Sequence, residues 1–121
     1  MRYVVLIAYE PCGWESAGPE ERQAFFDAHH AFEQFVADHG KRLSSAALAD
    51  ADMATTVRHP DGGGEAVVTD GPFVELTEQV GGYYDVELPD LDTAIAAVHL
   101  LPPSYAVEVR PVVGVEGYES V

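Results

Sequence analysis

Cationic side chains are scarce in this sequence. Its 121 residues hold six Lys+Arg against 21 Asp+Glu, a formal net charge of −15 with histidine neutral. Such a surface repels phosphate backbones, which argues against nucleic acid as a partner. The same charge disfavours docking on anionic lipid. Cysteine is nearly absent. Cys12 stands alone, which excludes an intramolecular disulfide and a cysteine-based zinc cluster, so the fold requires no oxidising compartment. Long apolar runs are missing too. The opening MRYVVLIAYEP breaks at Glu10-Pro11, too early for the apolar core of a signal peptide. No stretch approaches the ~20 apolar residues of a membrane span. The expectation is a soluble, cytoplasmic protein with no membrane and no nucleic-acid partner.

What the chain does contain points to a folded unit. Hydrophobic residues make up 47%, too many for disorder despite the charge. The length fits a single domain, residues 1–121, with a real core. Tyr3 to Tyr9 is almost continuously apolar and β-branched, as in a central strand. Pro19 suits a first helical position, Glu20 and Glu21 complement the positive helix end, and Gly40 is a stop. Phe25, Phe32, Phe35 and Val36 recur at helical spacing between them, which predicts an amphipathic helix over 19–39. Arg42 to Asp50 is ambiguous and is read as a strand. Thr55 to His59 and Ala66 to Thr69 flank the turn Pro60 to Gly64 and predict a hairpin. Gly81 to Leu88 reads as a strand. Asp90 caps a second helix with Leu91, Ile95, Val98 and Leu101 on one face, ending before Pro102-Pro103. Tyr105 to Val113 is the last strand.

The order β-α-β-β-β-β-α-β predicts an α+β, ferredoxin-like sandwich: two helices on one face of a mainly antiparallel sheet. Tyr3, Val5, Ile7 and Tyr9 share one face of the first strand, Val4, Leu6 and Ala8 the other. Both are apolar, and two helices cover only one. An uncovered apolar face implies a partner, so two sheets are expected to pack face to face in a homodimer.

Val68-Thr69-Asp70-Gly71-Pro72-Phe73-Val74-Glu75, followed by Glu78-Gln79-Val80-Gly81-Gly82-Tyr83-Tyr84, resembles the hallmark of the DGPF branch of the YCII-related proteins. MRYVVLIAYE is similar to that family's first strand, SAGPEERQAFFDAHHAF to its first helix and Ala106 to Val112 to its last strand. The resemblance implies a dimeric α/β barrel in which two ferredoxin-like sheets close on each other. It also implies a functional spread. Related enzymes include a dehydrochlorinase of a chlorinated hydroxyquinol with a His-Asp pair, while many DGPF proteins are encoded beside extracytoplasmic-function sigma factors. The family pattern carries a histidine eleven residues before the glycine that ends the first helix, which here is His29. An acidic residue that some relatives carry after the second helix is replaced here by Leu101-Pro102.

His29 lies on the apolar stripe of the helix, four after Phe25 and three before Phe32. Burying a titratable ring there is costly without partners. It is either a core histidine bonded to backbone or a general acid/base lining a cleft. Asp70 is either a structural turn residue forming an Asx bond or the carboxylate that orients a catalytic histidine. Tyr83 and Tyr84 point to opposite faces of one strand. With Phe73, Arg2 and Arg110 they form the candidate substrate-binding set, the arginines as anchors for an anionic group or as solvated side chains. Gly81-Gly82 reads as a bulge or as a close approach of backbone to a ligand. His39, His59 and His99 show no metal-ligand spacing, Cys12 lies near Glu10 and Glu15, which discourages a thiolate, and no glycine-rich loop opens a helix. No metal and no cofactor is expected. Three functional readings stand. One is a small cofactor-independent enzyme doing lyase, isomerase or dehalogenase-like proton chemistry on a small organic substrate between sheet and first helix. The second is a non-catalytic ligand-sensing or regulatory dimer linked indirectly to a sigma factor. The third is a structural dimer with a vestigial pocket.

Overall fold

A computed structural model describes residues 1–11, 13–60, 63–74 and 77–118. Cys12, part of the Pro60 to Gly64 turn and Glu75 lie outside the described residues. The elements are β1 (Arg2–Tyr9), α1 (Pro19–His39), β2 (Lys41–Ala47), β3 (Thr55–Arg58), β4 (Val67–Asp70), β5 (Gln79–Glu87), α2 (Leu91–Val98) and β6 (Ala106–Pro111). This is the predicted α+β order. Four strands form one antiparallel sheet in the order β2-β5-β1-β6. The β3–β4 hairpin forms a separate two-stranded sheet. The ambiguous segment after α1 is a strand only to Ala47.

Pro19 opens α1, and Glu20 and Glu21 lie in its first turn. At the other end the Gly40 N–H donates to the Val36 carbonyl at 2.7 Å. A Cβ on Gly40 would strike the Glu87 carbonyl of β5. The chain can therefore pass directly from α1 into β2 only with glycine at this point.

Side-chain alternation places Tyr3, Val5 and Ile7 of β1 with Tyr84 and Val86 of β5 under the helices, where Phe32 and Val36 of α1 meet them. The second helix corrects the sequence reading. Leu91 and Ile95 are 48% and 42% exposed, whereas Ala94, Ala97 and Leu101 are buried. The alanines present the least bulk, so α2 lies close to the core on its small face with Val98 beside it, and turns Leu91 and Ile95 outward. Its cap is as expected: an Asp90 carboxylate oxygen accepts from the Thr93 N–H at 2.8 Å and from the Thr93 hydroxyl at 2.7 Å.

The opposite face of the sheet carries no helix. Val4, Leu6 and Ala8 are half-buried there by their neighbours alone. It is less apolar than β1 by itself implies. Val4 stands opposite Asp85 and Arg110, and Leu6 opposite Tyr83 and Glu108. Arg2 grips Asp85 with two hydrogen bonds of 2.9 and 2.6 Å, and these hold the Asp85 carboxyl below its usual range. Among the described residues, no helix is long and apolar enough to cross a membrane.

Candidate functional site

The site begins with a skip in the sheet. β1 and β5 pair Ile7 with Gly82 and Ala8 with Val80, so Gly81 is an extra residue in β5. A Cβ on Gly81 would strike the Tyr9 ring. The bulge is as the sequence predicts, and the group that approaches the glycine is the Tyr9 side chain. Tyr9 stacks on Tyr105 at 5.5 Å with 26° between the rings, and Phe25 of α1 tilts against Tyr105 at 6.0 Å. Tyr9 and Tyr105, with Ser45 to Ala47 of β2, Gly81 to Tyr84 of β5, Ile7 and His29, line a cavity of about 380 Å³.

His29 projects from α1 toward the sheet and is half-buried. Both ring nitrogens are engaged: Nδ1 lies 2.9 Å from the Tyr84 hydroxyl and Nε2 2.9 Å from the Tyr105 hydroxyl. Tyr84 donates its proton to Glu33 Oε2 at 2.7 Å, and Arg42 Nη1 stands 3.5 Å from the same oxygen. A phenol has one proton to give. Since that of Tyr84 goes to Glu33, its oxygen accepts from His29, and Nδ1 carries the hydrogen. In the neutral ring Nε2 is then the acceptor, and Tyr105 donates to it. Burial lowers the His29 pKa below its ordinary value, with the Glu33 charge working in the opposite direction and the neighbouring His30 reinforcing the drop. The imidazole is therefore neutral at pH 7. Burial and the bond to Glu33 push the Tyr84 hydroxyl in the other direction, upward, so it remains a phenol.

Of the residues expected at a site, His29, Tyr83 and Tyr84 line this cavity. Asp70 does not. It pairs with Thr55 at the end of the hairpin and is exposed, and among the described residues its carboxylate makes no hydrogen bond. Both nitrogens of His29 are taken by tyrosines, so a direct His29–Asp70 pair is not formed. The turn after Asp70 is instead tied by backbone. Gly71, at φ 106°, donates to the Ala54 carbonyl at 2.7 Å, and its own carbonyl accepts from the Thr56 hydroxyl at 2.6 Å. Phe73 is 73% exposed and borders a second hollow of about 350 Å³ with Leu48, Met53, Pro72, Val74 and Val80. Arg2 and Arg110 lie on the helix-free face, bonded to Asp85 and Glu108, away from His29. Four residues of the cavity network were not singled out from sequence: Tyr9, Glu33, Arg42 and Tyr105. Glu33 left a readable trace, because a residue four after His29 shares its helix face. The tyrosines meet His29 only through the pairing of distant strands. Among the described residues, no group of three or more His, Cys, Asp or Glu is arranged to hold a metal ion.

Comparison with known proteins identifies a family for the chain. The YCII-related domain matches residues 1–115. A protein of Rhizobium meliloti (strain 1021), itself described as uncharacterized, is 31% identical over 115 residues, covering 92% of this chain and 91% of that protein. The chain belongs to the YCII-related family.

Proposed function

We propose that the His29 cavity performs general acid–base chemistry on a small organic molecule with an acidic proton, of the lyase, isomerase or dehalogenase type. The observation that carries this reading is the pair of hydrogen bonds at His29. They leave a neutral imidazole whose Nε2 lone pair accepts from Tyr105, a residue that lines the cavity with it. A substrate that displaces Tyr105 presents its proton to Nε2. The imidazolium that forms keeps its Nδ1–H on Tyr84, whose own proton points at the Glu33 carboxylate. Tyr105, which lines the same cavity, supplies a phenol able to donate to the anion left on the substrate. Lowering of the His29 pKa keeps the base unprotonated through neutral pH. A purely sensing cavity needs no such convergence of acid–base groups.

The test is deuterium uptake. A panel of enolisable and phenolic carbon acids in D₂O is followed by proton NMR. The protein should accelerate exchange of at least one carbon-bound proton, and His29→Ala should lower that rate by about 10²–10⁴-fold. A panel that exchanges equally with both forms would overturn the reading. We also propose that two copies pair through the helix-free face, supported by Val4 and Leu6 at its centre. Light scattering should give twice the 13.0 kDa chain mass, and a monomer would refute the pairing.

A further inference from the structure

We infer that Glu33, anchored by Arg42, is a positioning residue that decides which ring nitrogen of His29 is the base. This rests on the reading of His29 as the proton acceptor, but the geometry behind it is separate. The Tyr84 hydroxyl sits between two groups, His29 Nδ1 at 2.9 Å and Glu33 Oε2 at 2.7 Å. Its ring is held from below by Phe32, centroids 4.5 Å apart. A carboxylate only accepts, so the single Tyr84 proton must point to Glu33. Remove that acceptor and the same hydroxyl can donate to Nδ1 instead. The ring hydrogen then moves to Nε2, which has no lone pair left to offer a substrate.

Glu33 and Arg42 do not line the cavity. Their side chains are 29% and 46% exposed, and Glu33 meets the network at the Tyr84 hydroxyl. They act on His29 only through Tyr84 and through charge. The groups facing His29 are Tyr84 from β5, Tyr105 ahead of β6, and His30 and Glu33 from its own helix, with Arg42 of β2 behind Glu33. Glu33 supplies the one negative charge in that set, so it also steadies the imidazolium.

Nitrogen-15 NMR of the histidine rings in the intact protein, without substrate, tests this directly. The wild type should show a protonated Nδ1 and a bare Nε2 on neutral His29. In Glu33→Ala that assignment should be lost in favour of protonated Nε2, and the His29 titration midpoint should fall by roughly one pH unit. Glu33→Gln keeps an acceptor but removes the charge, so it should keep the wild-type tautomer and still lower the midpoint. Tyr84→Phe should lose the tautomer preference with the fold intact. Unchanged ring shifts and midpoint in Glu33→Ala and Tyr84→Phe would overturn the assignment. Deuterium uptake separates the two claims. A tautomer that answers to Glu33 with no exchange activity refutes catalysis alone, and exchange with a tautomer indifferent to Glu33 refutes the positioning alone.

Discussion

Two hollows of nearly equal size, about 380 and 350 Å³, lie on this molecule and differ in almost everything else. The first is built by four elements around His29, and its hydroxyls and imidazole are bonded in a chain that ends on Arg42. The second lies between the segment after β2 and the turn after β4, and is bordered by exposed apolar side chains such as Met53 and Phe73. Of the conspicuous turn Asp70 to Phe73, Pro72 and Phe73 border the second. The acid–base groups gather in the first. A hollow acquires chemistry from convergent, mutually oriented polar groups, and neither volume nor a conspicuous motif supplies them.

The contrast can be tested by substitution. The largest effect is expected at Phe32, which is 1% exposed and supports Tyr84 from within the core. Phe32→Ala should cost about 3–5 kcal/mol in urea unfolding. The equivalent change at the second hollow, Phe73→Ala, should stay within about 0.5 kcal/mol in the isolated chain. A large loss there would show that a partner covers Phe73. Next comes Gly81→Ala, which should cost about 1–3 kcal/mol by driving Tyr9 off its stack and should weaken ligand binding in the first hollow only, as calorimetry would show.

A smaller effect concerns pH. Folding lowers the His29 pKa below the 6.5 of the unfolded chain. Between the two values the unfolded chain binds more protons, so stability rises with pH through that window and is lost as pH falls through it. His29→Gln should flatten this slope in unfolding curves measured across pH 4.5 to 7.5. Smallest of all is Asp70→Asn, expected within about 0.5 kcal/mol and without effect on the His29 titration. A shift of that titration would reconnect the two hollows.

The fold was largely legible in the sequence because its signals are local. Pro19, Gly40 and the phenylalanine spacing bound α1, Asp90 caps α2, and Pro60 to Gly64 separates the hairpin strands. The buried face of α2 was read half correctly: Val98 and Leu101 do turn to the core, but hydrophobicity was weighed without size. Leu91 and Ile95 are the stronger apolar residues, yet contact distance selects Ala94 and Ala97. His29 was legible from its place on an apolar stripe. Its partners were not, because Tyr84 and Tyr105 are 55 and 76 residues away and reach it only through strand register. Asp70 drew attention as the carboxylate of a conspicuous turn, whereas the acid in the network is Glu33, an unremarkable residue on a helix surface.

Among the described residues, the β3–β4 hairpin shares no ladder with the four-stranded sheet. Two strands alone are marginal in water, so this arm should detach and reattach many times while the body stays folded. Its amides would surrender their hydrogens to heavy water long before those of β1, which is clasped on both sides. The hollow beside Phe73 therefore has a rim that breathes, while the floor beneath His29 stays still.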